Sequence, residues 1–255
     1  MPSRTAWHRS SIRAALLTGV VATAIVLLYC QSPDQVPEVR PIPSAGSGPP
    51  RIYRSNFSVA EDPISDGGRW ISAKAAALDW SDIRTVPGLA YGSESGTSKF
   101  DDSTALLAGN WGPNQMVEAR VHTLNQNDRV YEEVELRLRS SLALHRATGY
   151  EISFRCSKSP VAYSEIVRWN GKWGSFTYLR HVQGPQYGVT DGDVVKAVII
   201  GNLIKAYIND IEVVRATDNT YRSGSPGMGF YLFGRTGLNP DYGFTELTAT
   251  DGPFG

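Results

Sequence analysis

Between positions 191 and 233 the apolar residues come in runs that break only where a tight turn is needed. Val194–Ile200 is a nearly continuous β-branched run, Gly201-Asn202 supplies a two-residue turn, and Leu203–Ile208 alternates Leu203, Lys205 and Tyr207 against Ile204, Ala206 and Ile208. Asn209-Asp210 reverses the chain again into a strand at 211–215. Gly, Asn and Asp tolerate the positive φ of two-residue hairpins, so the stretch predicts a three-strand antiparallel meander. A polar loop with Gly224-Ser225-Pro226-Gly227 then leads into a fourth apolar strand at 228–233.

Strict alternation marks three more strands. In Gln115–Thr123, Val117, Ala119 and Val121 face one way and Glu118, Arg120 and His122 the other. At 130–139, Val130, Val134, Leu136 and Leu138 oppose Tyr131, Glu133, Glu135, Arg137 and Arg139; at 149–156, Tyr150, Ile152, Phe154 and Cys156 oppose Glu151, Ser153 and Arg155. A period of two puts each set on one sheet face, giving a core side and a charged side. Shorter segments read as a first strand at 52–59, less regular stretches at 70–77 and 79–83 with Ala75-Ala76-Ala77 as a short helix, a Gly/Ser-rich loop at 91–100, and a strand from 106. A hairpin over 161–182 turns at Asn170-Gly171, and a last strand covers 244–250. About twelve to fourteen strands and almost no amphipathic helix predict an all-β protein, a two-layer sandwich or closed barrel.

The first 50 residues have a different texture. Arg4, Arg9 and Arg13 precede an uncharged apolar run at 14–30, the form of an export signal or hydrophobic anchor helix. Its flanks favour an uncleaved anchor with the arginines inside and the domain outside. The alternative is a lipoprotein, because Leu27-Leu28-Tyr29-Cys30 resembles a bacterial lipobox, with Tyr29 where a small residue is usual. Residues 31–50, with Pro33, Pro37, Pro41, Pro43, Pro49 and Pro50, read as a Pro-rich stalk. One domain is expected at 51–255.

Charge and cysteine narrow the classes. Lys plus Arg balance Asp plus Glu at 25 each, so no strong field attracts nucleic-acid phosphates. Cys30 and Cys156 imply no disulfide framework. Zinc-finger spacing, a Walker loop, Gly-x-Ser-x-Gly and His-Glu-x-x-His are all missing.

From 51 to 251 the chain resembles the concanavalin A-like lectin/glucanase jelly rolls, which include laminin-G-like domains. The resemblance rests on Asn56-Phe57, on Leu136-Arg137-Leu138-Arg139 followed by Gly149-Tyr150, and on Gly192-Asp193, Ile208-Asn209-Asp210, Asp218 and Ser223-Gly224-Ser225-Pro226-Gly227 in series. It implies a two-sheet antiparallel jelly-roll sandwich, one concave sheet that holds glycan or catalytic groups, and often a calcium ion, to which Asp241 or Asp251 would contribute. A shared fold does not imply a shared activity.

Three constellations carry candidate chemistry. Glu133 and Glu135 have the types and spacing of a glycosidase acid and nucleophile, although leucine, Leu138, stands where the laminarinase-like Glu-x-Asp-x-x-Glu run has its second glutamate. A lyase would use His122, Tyr131, Arg137 and Arg139 as base and carboxylate clamps. The preferred reading of these positions, with Glu118, Arg120 and Arg155, is a solvated face laced by cross-strand Glu/Arg pairs. Trp169, Trp173 and Tyr187 form the aromatic set, able to stack on sugar rings with Arg155 as a polar neighbour or to sit in the core, where Trp70, Trp80 and Trp111 are assigned. The sequence thus points to lectin-like binding of poly- or oligosaccharide, with a polysaccharide lyase or glycoside hydrolase, or a protein-binding adhesion module, as alternatives.

Overall fold

The computed structural model describes residues 49–97, 102–124, 128–234 and 236–252. The hydrophobic segment at 1–30 and nearly all of the proline-rich stalk lie outside them. Fifteen strands follow in chain order: β1 (Ile52–Ser55), β2 (Trp70–Ser72), β3 (Arg84–Val86), β4 (Leu89–Tyr91), β5 (Ser103–Leu107), β6 (Gln115–Thr123), β7 (Tyr131–Ala143), β8 (Arg146–Arg155), β9 (Tyr163–Gly171), β10 (Phe176–Gln183), β11 (Val194–Ile200), β12 (Leu203–Ile208), β13 (Ile211–Thr217), β14 (Ser225–Phe233) and β15 (Tyr242–Thr250). Two antiparallel sheets result. The first runs β13-β12-β11-β6-β15-β4-β3, with β1 also on β15; the second runs β10-β9-β8-β7-β14-β5-β2.

The meander forms as the turn chemistry requires. β11, β12 and β13 pair in sequence, Gly201 takes φ 59°, and Asn209 and Asp210 take φ 50° and 63°. The fourth apolar run, β14, crosses instead to the second sheet and inserts between β7 and β5. The apolar sets of β6, β7 and β8 all point between the sheets, where Val117, Val121, Leu136, Leu138, Ile152 and Phe154 meet Ile199, Phe230 and Phe244 in one buried core. Removing these side chains from water is the main favourable term for the sandwich.

Several local expectations shift. The hairpin of β9 and β10 turns at Lys172–Ser175, where Ser175 N donates to Lys172 O at 2.9 Å, so Asn170 and Gly171 belong to the strand. The alanine triplet is part of a short 3-10 turn, Lys74–Ala76. Residues 79–83 form no strand, and β3 and β4 fall within 84–91, where no strand was expected. Trp70 and Trp80 are core, but Trp111 is half-buried beneath the Arg51 guanidinium, 4.8 Å from its ring centre.

After β4, Glu94 is buried, its Oε1 accepting from Ser103 N at 3.0 Å while Oε2 accepts no hydrogen bond among the described residues. Burial pushes its carboxyl up to about 8. The folded state therefore binds a proton that the unfolded chain has released above the usual glutamate range. Stability from this group is full below about pH 4.5 and is lost as pH rises through about 8. Denaturant unfolding is expected to give a protein less stable at pH 9 than at pH 5, by on the order of 3 kcal/mol from Glu94 alone. Glu94→Gln should flatten that part of the profile; an unchanged slope in the variant would contradict the assignment.

Candidate functional site

The outward sets of β6 and β7 look alike in sequence and meet different fates. On β6, Glu118, Arg120 and His122 face out from the first sheet. There Lys196 reaches Glu118 at 3.2 Å, Arg120 reaches Glu246 at 2.6 Å, and His122 Nδ1 lies 3.1 Å from Asp191. Each pair joins neighbouring strands or a flanking loop, and the groups are half-buried to exposed, so the expected solvated, salt-bridged face is found here. On the second sheet that expectation fails. Glu133, Glu135 and Arg137 of β7, Glu151 and Arg155 of β8 and Glu165 of β9 are all buried.

Part of this face is covered. The segment before β3 lays Ala73, Leu78 and Trp80 across Ala147, Val167 and Trp169, with Trp80 edge-on to Trp169 at 4.5 Å between ring centres. Beyond this lid the face remains open as a cleft of ≈ 220 Å³, walled by Tyr131, Tyr163, Trp169, Phe176, Tyr178 and Tyr231. Its floor carries Asp102, Glu133, Glu135, Glu151 and Glu165.

At the centre Arg137 donates from Nη1 to Glu151 at 2.5 Å and from Nη2 to Glu135 at 2.5 Å and Asp102 at 3.1 Å. Its guanidinium lies 5.2 Å from the Trp80 ring centre. Opposite, β14 carries Gly229, where a Cβ would fall 2.3 Å from Glu135 Oε2 and 2.9 Å from Arg137 Nη2, so only glycine leaves room for the pair. One cation cannot offset three carboxylates. Burial first, and then the charge of Glu151, raise the Asp102 and Glu135 carboxyls well above the usual range. The oxygens of Asp102, Glu135 and Glu151 lie within 4.8 Å of one another, a spacing that can hold a metal ion. The guanidinium already holds them, so a hard cation such as calcium would fit there only by displacing it.

A second group lies toward β9 and β10. Tyr163 Oη donates to Glu133 Oε1 in a short hydrogen bond, and His181 Nδ1 lies 2.8 Å from Glu165 Oε2. Burial, then the charge of Glu165, raises Glu133; burial, then the charge of Glu151, raises Glu165. Arg155 donates to Val130 O at 2.6 Å and stacks 4.0 Å from the Tyr131 ring centre.

The fold thus brings Tyr131, Glu133, Glu135, Arg137, Arg155 and Trp169 together. Trp169 is a wall rather than an open platform: it is buried, packs on Trp80 and Phe176, and donates its indole N–H to Glu151. His122 is on the opposite outer face. Arg139, expected beside Arg137, is turned away by a bulge between Leu138 and Ser141 and sits at φ 45°. Its guanidinium instead clamps the carbonyls of Pro113, Tyr221 and Gly201. Trp173 is exposed in the β9–β10 turn, and Tyr187 lines a separate groove beside edge strands β10 and β13. Asp251 commits both oxygens to backbone donors, Arg51 N at 2.6 Å and Gly112 N at 2.8 Å, while Asp241 ends a short 3-10 turn whose last carbonyl accepts from Leu124 N. Tyr163, Glu165, Phe176, Tyr178, Tyr231 and Asp102 complete the cleft without having been singled out. For the first two, the alternation Tyr163, Glu165, Val167, Trp169 along β9 was the signal.

Breaking a buried ion network by deleting its cation costs ~3–5 kcal/mol. Arg137→Met is expected to lose about that much stability in denaturant titrations at pH 7, far more than Arg120→Met, whose ion pair on the first sheet is exposed. Equal losses for the two variants would show that the buried acids do not depend on the guanidinium.

No family model matches the sequence, and neither does any curated protein. Solved structures match by shape. A Bacillus subtilis protein of unknown function with a galectin-like fold gives a TM-score of 0.54 at 10% identity, over 81% of this chain and 98% of its own. The exoplasmic/lumenal domain of VIP36, in a form bound to Ca2+ and Man3GlcNAc, gives 0.50 at 8% identity over 73% and 85%. A native glycosidic hydrolase gives 0.49 at 13% identity over 80% and 97%. At such identities the likeness speaks to fold alone, and with the two antiparallel sheets it shows that this protein has the concanavalin A-like lectin/glucanase fold.

Proposed function

We propose that the protein binds carbohydrate outside the cytoplasm and that the cleft on the second sheet is its binding site. The observation that carries this reading is the lining: aromatic rings, with Tyr131 and Tyr178 well exposed at the rim, surround a floor of buried carboxyl groups. Rings present flat apolar faces to the C–H surface of a sugar, and carboxyl oxygens accept from its hydroxyls. The same fold in VIP36 is described with Man3GlcNAc bound, which supports a sugar as the ligand class. At ≈ 220 Å³ the cleft is smaller than the ~300–1,000 Å³ of a typical small-molecule pocket, which suits one sugar unit or a chain end.

Catalysis is the second reading, favoured by Glu133. A carboxyl held protonated by burial and by a neighbouring acid is the form a general acid must have. The N-terminal arginines and apolar run support export and tethering to a membrane, with the domain held outside on the proline-rich stalk.

Two measurements bear on these proposals. Retention of the full chain on a panel of polysaccharides is expected to fall at least tenfold on Tyr178→Ala, without release of reducing ends or unsaturated products by the unaltered protein. Reducing ends that disappear on Glu133→Gln would replace binding with hydrolysis. In cell fractionation the full chain should stay with membranes through alkaline carbonate and leave them only in detergent; release by carbonate would remove the anchor.

A further inference from the structure

The cleft has an imbalance that a neutral sugar leaves unrelieved. Of its five acids, Asp102, Glu135 and Glu151 share the Arg137 guanidinium, but Glu133 and Glu165 form no ion pair with lysine or arginine among the described residues. Both are more than nine-tenths buried. Glu133 has one oxygen on Tyr163 Oη and Glu165 one on the His181 ring, so each carboxyl has a second oxygen without a hydrogen bond among the described residues, on the wall of the cleft. Arg155, across from Glu133 on β8, is turned to Val130 O and to the Tyr131 ring. Burying Glu133 without an ion pair, and Glu165 with only the His181 ring beside it, is costly, and the charge of Glu165 further disfavours ionisation of Glu133.

We infer that the cleft selects a basic sugar, an amino sugar with a free amine whose ammonium sits between Glu133 and Glu165. This rests on the carbohydrate reading and names its substrate class. An ammonium offers three donors and a full positive charge in a compact group, which matches two free carboxylate oxygens. Tyr131, Tyr163 and Tyr178 around the same corner add the negative faces of their rings. A uronate or sulfated sugar would bring another negative charge against the five-acid floor and is excluded by it. An N-acetylated sugar has the shape but not the charge.

The test is calorimetric titration of the full chain with a glucosamine oligomer, the N-acetylglucosamine oligomer of the same length, a glucuronate oligomer, and calcium chloride alone. The free-amine oligomer is expected to bind at least tenfold more tightly than the N-acetylated one, with the advantage shrinking as salt rises. Glu133→Gln and Glu165→Gln should each abolish the advantage, so that the free-amine and N-acetylated oligomers bind alike. Equal affinity of the unaltered protein for both oligomers would overturn the inference and leave the carbohydrate reading standing, as would preference for glucuronate. Calcium binding lost on Glu133→Gln, without an amine preference, would assign the pair to a metal and overturn it. Failure of every sugar to bind would bring down the carbohydrate reading itself. The comparison of oligomers needs no variant, so it stands even if a substituted chain fails to fold.

Discussion

The guanidinium of Arg137, enclosed by Asp102, Glu135 and Glu151 and covered by Trp80, is the charge on which the outer face of the second sheet depends. Taking these groups out of water costs several kcal/mol per ion, and their mutual attraction roughly repays it. Such a cluster is therefore a poor way to stabilise a sandwich whose core already contains Leu136, Ile152, Phe154 and Phe230. What it does is fix side chains: three carboxylates and two tryptophan rings are held in one arrangement by a single planar donor, and Gly229 is the opening in β14 that admits them. The cleft stands on this floor, and its exposed rings, Tyr131 and Tyr178, are at the rim.

Alternation along the chain showed which residues share a face, and that much of the fold was legible. It could not show what covers the face. β6 and β7 carry the same pattern of apolar and charged positions, yet Arg120 is exposed and Arg137 is not. The difference comes from the segment at 73–82, more than fifty residues upstream of Arg137, and no period of two or of 3.6 connects them. Reading the charged face as solvated was thus reasonable for each strand and wrong for one sheet.

Turn chemistry was the other legible layer. Gly201, Asn209 and Asp210 placed the meander to the residue, because positive φ is a local demand that few residues meet. Arg139 is the counter-example. It adopts positive φ inside a strand, where arginine gives no hint of it, because the bulge is imposed by tertiary partners: Gln115 Oε1 accepts its N–H at 2.7 Å, and Gly224 approaches so closely that a Cβ would lie 2.4 Å from its carbonyl carbon. The grouping of Arg139 with Arg137 failed for that reason. Similarly, β3 and β4 are three residues each, too short for a periodic signal.

The position of β15 has a consequence for the order in which the protein is made. It is the last strand of the sandwich, yet it lies inside the first sheet, pairing with β6 on one side and with β1 and β4 on the other. Until it leaves the ribosome, β1, β3 and β4 have no sheet to join, although they are synthesised first. Contacts this distant in sequence make for slow closure. The first sheet therefore stays open until β15 is made, and it closes where Asp251 fastens onto Arg51 and Gly112. The strands made first thus wait longest for their partners.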